Sequence, residues 1–233
     1  MDARKARAVW LLPPSVRAAR GMCASMIHGE RGIAMILTEV TTVPTLALPI
    51  AAFKTHLRLG TGFADDTLQD GLLESTLRAA MAAIEGRIGK VLIARRFKWT
   101  LQDWRTGAEQ ALPVAPVTAV VSVTLVDGAD VATVIAASRY KLVQDMHRPK
   151  LVATGLALPL VPMAGRVEVV FDAGFGAAWA AVPADLSQAV LLLAAEYYEH
   201  RSETGVRDGG LPFGVVTLIE RWSTVRVLGG GTA

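Results

Sequence analysis

A single cysteine, Cys23, stands in the 233 residues, so no disulfide can form within the chain and its stability rests on no covalent staple. Synthesis in a reducing cytoplasm is the default expectation. Charge is scarce as well: charged residues make up 19% and hydrophobic ones 52%, and the mean hydropathy is +0.39. That is apolar for a chain whose surface must face water, so part of the apolar surface is expected to lie between subunits. Long hydrophobic runs are missing too. The longest, 189–195 (AVLLLAA), is far too short to cross a bilayer, and no membrane association is expected.

The signatures of catalysis are equally absent. Neither GxSxG nor a P-loop occurs, and no two of His28, His56, His147 and His200 have metal-ligand spacing. Gly174-Phe175-Gly176 follows a strand-like run, but Trp179 stands where a dinucleotide fingerprint needs its third glycine, and Pro183 interrupts the following helix. A tight turn is the expected reading. Asp66, Asp70 and Glu74 recur every four residues, with Asp65 beside the first. They could in principle hold a divalent cation, yet acidic side chains are also what a helix N-terminus favours. No catalytic, cofactor-binding or metal-binding residue is assigned, and a non-enzymatic protein is expected.

The formal net charge of +3 hints at nucleic acid. The excess is confined to the start of the chain, where residues 1–34 hold six Lys/Arg and two acids; the rest is near neutral. Three readings of residues 1–34 stay open: a disordered basic extension, a tail that touches DNA or a partner, and a secretory signal whose apolar core, Ala8 to Leu12, is short. Folding is expected from about residue 35.

Periodicity orders the remainder. Leu48-Pro49 followed by Ile50, Phe53 and Leu57 predicts a short helix over about 49–59, ended by Gly60 to Gly62. Asp66 to Gln69 has the form of a capping box, and Leu73, Leu77, Ala80, Met81, Ile84 and Ile88 continue at helical spacing to Gly89, predicting a helix over about 65–88. The period then falls to two. Phe97, Trp99 and Leu101 alternate with polar residues, Val117 to Leu125 repeats the pattern up to the Asp127-Gly128 turn, shorter candidates follow at 131–136, 139–143 and 149–153, and Val167, Val169 and Phe171 close a β-rich stretch over about 96–172. Pro183 opens a second strong helix over about 183–201, with Leu186, Val190, Leu193 and Tyr197 on one face. After a polar, Gly-rich loop at 201–210, residues 212–222 predict a final short helix, and Gly229 to Gly231 marks a flexible end, 229–233. Phe97, Trp99, Trp104 and Trp179 could stack bases, but no basic groove accompanies them, and core positions explain them better. The fold class is α+β: a helical core of about four helices with a β-rich insertion between the second and third.

Six patches in order, LPIAAFKTHLRL at 48–59, DDTLQDGLLESTLRAAMAAIEGRIGKVLIARRF at 65–97, LPVAPVTAVVSVTLVDG at 112–128, VEVVFDAGFG at 167–176, VPADLSQAVLLLAAEYYEHR at 182–201 and LPFGVVTLIERW at 211–222, resemble the head–tail connector (adaptor) family of long-tailed phages, prophages and gene transfer agents. The resemblance implies a connector domain over 35–228. It implies a homo-oligomeric ring, usually a dodecamer, in the neck of the particle. This ring docks on the portal protein after DNA packaging and offers a platform to a stopper or head–tail joining protein, while DNA passes through its channel without sequence-specific binding. In such adaptors the C-terminal segment reaches onto the portal, and here Leu211, Phe213, Leu218, Ile219, Arg221, Trp222 and Arg226 are the candidates for that contact. The alternatives are that this helix closes its own subunit's core, and, for the whole chain, that it is a DNA-binding accessory of packaging.

Overall fold

The computed structural model describes residues 35–59, 69–201 and 210–223. Two hydrophobic cores, one helical and one between β-sheets, lie within the unit Ile33–Ala233.

The helical core is built from α1 (Ile50–His56), α2 (Asp70–Ile88), α3 (Ala184–Glu199) and α4 (Phe213–Ile219), the last running on into a 3-10 turn, Glu220–Trp222. The apolar stripe read from the sequence of α2 is the one buried: Leu73, Leu77, Ala80, Met81, Ile84 and Ile88. Gly89 stops this helix with a left-handed φ of 67°, its N–H on the Glu85 carbonyl at 2.8 Å, a conformation that costs glycine little. The expected start of this helix at 65 and Asp66, which opens the expected capping box, fall in 60–68, outside the described residues; Gln69, at the other end of that box, directly precedes the helix and makes no side-chain cap bond. In α3, Leu186, Val190 and Leu193 are buried as expected. Tyr197 is not; it is exposed, and the half-buried neighbour Tyr198 donates its hydroxyl to Gln69 Oε1 at 3.1 Å. A buried phenol needs a polar partner, and Tyr198 has one. The first helix is shorter than the expected 49–59. It closes at His56, with Arg58 in the left-handed region (φ 54°) and Leu59 N–H on the Lys54 carbonyl at 3.1 Å.

Between α2 and α3 run seven strands: β2 (Arg95–Leu101), β3 (Glu109–Ala111), β4 (Val117–Val126), β5 (Ala132–Val134), β6 (Tyr140–Val143), β7 (Lys150–Ala153) and β8 (Arg166–Ala173). An eighth, β1 (Met35–Glu39), precedes the helices and pairs with β2, so the main sheet is not made by the insertion alone. This sheet has the order β1-β2-β8-β4-β5 and is antiparallel throughout; a second has the order β3-β7-β6. Alternation positions the second core. Phe97, Trp99 and Leu101 of β2 lie beside Phe171, Val169 and Val167 of β8, all buried, with Leu112, Tyr140 and Leu151 from around the smaller sheet. Residues of the opposite phase pair as ions on the other face, Arg96 with Asp172 at 2.8 Å and Lys98 with Glu168 at 2.7 Å.

Two devices join the cores. Arg95 donates to both Glu85 oxygens at 3.0 and 2.6 Å and lies 3.0 Å from Glu39, so one guanidinium ties α2, β1 and β2. Gly174, with φ 134°, crosses Ala94 so closely that a β-carbon would lie 2.4 Å from its Cα, while Phe175 N–H reaches the Leu92 carbonyl and Ala94 N–H the Gly176 carbonyl. The Gly-Phe-Gly run is thus a tight turn with a packing purpose. The residues expected to form the extension 1–34 and the tail 229–233 lie outside the described residues.

Candidate docking surface

α4 is too short to persist alone and is held by what it packs against. Pro212 precedes it and its carbonyl accepts from Val215 N–H at 2.9 Å and Val216 N–H at 3.0 Å. Val215, Ile219 and Trp222, spaced four and three apart, turn inward and are buried in the helical core. Trp222 Nε1 donates to Asp185 Oδ2 at 2.8 Å, its ring meets Phe175 edge-on at 5.4 Å, and the Arg221 guanidinium stands 5.1 Å from its centre. Asp185, in the first turn of α3, also caps locally through Leu186 N–H at 2.9 Å and lies 3.5 Å from Arg221.

The seven candidates therefore divide. Ile219 and Trp222 fasten the segment to its own chain. Phe213 is 87% exposed, the Arg221 side chain is exposed, and Leu211 and Leu218 are half-buried. Arg226 lies outside the described residues. Val216 is exposed on the same helix and was missed by sequence reasoning; its place one residue after the buried Val215 was the available signal. What the segment offers is an exposed apolar anchor, Phe213, at the start of α4 and an exposed cation, Arg221, in the turn that ends it, on a backbone already fixed in place. Such a patch suits protein recognition, in which buried aromatic and arginine side chains carry most of the energy.

The other candidate chemistries have structural employment. Asp70 pairs with Lys54 at 2.6 Å, and Glu74 with Arg78 at 2.8 Å and the Thr45 hydroxyl at 3.1 Å; Asp65 and Asp66 lie outside the described residues. Among the described residues no group of three or more His, Cys, Asp and Glu is placed to hold a metal ion. Phe97, Trp99 and Trp104 are buried, Trp104 with its indole N–H on the Pro159 carbonyl at 2.8 Å, and Trp179 packs against the helical core. Core packing accounts for the first three, and Trp179 is half-buried. Lys90 is buried with its ammonium 3.3 Å from His147 Nδ1; burial lowers its pKa, opposed by the charge of Asp145. Asp145 is itself held below the usual carboxylate range by the backbone N–H groups of Arg148 and His147.

Neither a family model nor a curated protein matches the sequence. Solved structures do. The chain is 57% identical to a chain in the neck of an empty gene transfer agent (GTA) particle computed with C6 symmetry, with a TM-score of 0.76, covering 84% of this chain and 98% of that one. It is 57% identical, with a TM-score of 0.74 and the same coverage, to a chain in the virion of a native gene transfer agent particle. It is 52% identical, with a TM-score of 0.72, to a chain in the neck of a native GTA particle computed with C12 symmetry, again covering 84% and 98%.

Proposed function

Because the chain belongs to the head–tail connector family represented in the necks of gene transfer agent particles, we propose that it is an adaptor subunit of such a neck. Copies assemble as a closed ring, twelve in number, that docks on the outer end of the portal after DNA packaging and presents a platform to a stopper or head–tail joining protein. The observation that carries this reading is sequence identity of 57% spanning 98% of a neck chain; the C12 symmetry of a second relative's neck supports the ring number. The work of the protein is assembly and sealing, not turnover, and it needs no cofactor. DNA passes through the ring without being read, in keeping with a near-neutral chain beyond residue 34.

Portal contact falls on the outer face of 211–222. Phe213 is its apolar anchor, the half-buried Leu211 and Leu218 add to it, Arg221 supplies the polar contact, and Arg226, outside the described residues, is a further candidate. Ile219 and Trp222 act from behind, by holding the face in position.

Deleting the gene in a producing strain tests the role. The expected product is heads that have packaged DNA, lack tails and leak their contents, with tails accumulating separately. Empty heads would instead place the protein in packaging, the role of a DNA-binding accessory, and would overturn the adaptor reading.

A further inference from the structure

We propose that neighbouring copies of this chain meet through opposite edges of the five-stranded sheet, the β1 strip of one against the β5 strip of the next; the proposal rests on the ring reading above. β1 is exposed along its whole length. Met35 and Ile36 are 60% and 63% open, and Leu37 and Val40 are exposed beside them. At the far edge β5 is likewise exposed throughout, with Val131 and Val134 bare. Met163, also bare, sits in the loop that passes beside Gly128 of the β4–β5 turn, so it adds to the same edge.

Sheet edges ordinarily carry lysine, proline, a bulge or a covering element that blocks association. These two do not. Across 35–43 (MILTEVTTV) the one charge is Glu39, which lies 3.0 Å from Arg95, and 131–138 (VATVIAAS) has none. Exposed apolar strips of this kind mark surfaces that are covered in an assembly.

Symmetry selects the occupant. A ring of six or twelve copies is closed by a heterologous contact, in which one face of each copy meets a different face of the next, and C6 and C12 are the symmetries of the related necks. Two unlike apolar faces on opposite sides of one copy are what that contact needs, and the two sheet edges supply them. Self-pairing of β1 would give a two-fold dimer and leave β5 bare.

Twist decides how the edges meet. Four strand-to-strand steps separate β1 from β5, and at about −20 to −25° each they turn β5 by roughly 80–100° relative to β1. A twelvefold rotation turns one copy to the next by only about 30°. In the twelve-copy ring proposed above the strands therefore cross by at least about 50° and do not continue one ladder. The contact is packing of Met35, Ile36, Leu37 and Val40 across Val131, Val134 and Met163.

Cross-linking in particles is the test. In a Cys23→Ser background, Ile36→Cys combined with Val134→Cys, treated with a short bis-maleimide, is expected to give a ladder of covalent multimers, while each single variant stays monomeric. If Ile36→Cys alone yields dimers, or either site links to another neck protein, or the double variant stays monomeric, the edge contact is overturned. Copy number per particle, counted by quantitative mass spectrometry, reads the ring separately: about twelve keeps it standing whatever the cross-links show, and one or two removes it and the edge contact together. A pair of complementary charges guards against poor linker geometry. Ile36→Glu and Val134→Lys should each abolish incorporation without lowering Tm, and together should restore it; normal incorporation of both single variants would overturn the contact.

Discussion

Trp222→Ala probes whether the C-terminal face is fixed before any partner arrives. The indole is buried between α3 and Phe175, and it donates to Asp185. Truncating a buried tryptophan costs about 3–5 kcal/mol through lost burial and the cavity left behind. Of this, the edge-on aromatic pair accounts for about 0.5–1.5 kcal/mol. The bond to the carboxylate is worth about 1.5–3 kcal/mol taken alone. Asp185 keeps Leu186 N–H and a nearby Arg221, so Trp222→Phe, which removes the bond and preserves most of the ring, is expected to cost about 1–2 kcal/mol. Seven helical residues cannot survive without their inner face, so the Ala variant should release 211–223 locally before the rest of the chain unfolds. Hydrogen exchange of the α4 amides reads the local opening, and urea titration reads the global change. Protection of α4 in the wild-type protein that falls by about two orders of magnitude or more in Trp222→Ala is the expected result. Unprotected α4 amides in the free wild-type protein would mean that the segment folds only on docking, and unchanged protection in Trp222→Ala would mean that the indole is not what holds it; either result overturns the prediction.

Three further outcomes follow from the packing. Gly174→Ala should destabilise by several kcal/mol in urea titration, because the residue has a positive φ and a methyl group would strike the Ala94 backbone, which has no room to yield. Glu85→Ala should cost about 3–5 kcal/mol, since it leaves the Arg95 guanidinium with Glu39, one carbonyl and the Phe97 ring, whereas a double change of Glu85 and Arg95 to apolar residues should recover most of the loss. Lys90→Met should raise Tm at neutral pH. The folded pKa of Lys90 is lowered from its unfolded value of 10.5, so its charge opposes folding at every pH below the folded pKa. That cost fades as pH rises between the folded and unfolded values. The wild-type protein should therefore gain stability over that alkaline window relative to Lys90→Met, and parallel pH profiles would show that Lys90 carries no such cost.

Periodicity made most of this architecture readable in advance. α2 and α3 announce themselves because long apolar stripes at helical spacing have few other uses, and β2, β4 and β8 because alternate residues face a core. β1 was not legible: Met35, Ile36 and Leu37 are consecutive apolar residues with no alternation, since both faces of that strand are open. β3, three residues long, has too few positions to show a period. At the docking face, sequence supplied the segment but not its orientation. Leu211, Phe213, Leu218, Ile219 and Trp222 are all apolar, and which of them turn inward depends on α3, Asp185 and Phe175, which lie far away in the chain. The spacing of Val215, Ile219 and Trp222 was the local sign of the inner face.

A reconstruction of the neck at side-chain resolution, from particles made by the native producer, tests the central claim most directly. The account predicts a closed ring of this chain between portal and tail-side proteins, with Phe213 and Arg221 against the portal and Trp222 within its own subunit. Density for this chain elsewhere in the particle, or a neck ring whose 211–222 face meets no portal residue, would contradict it.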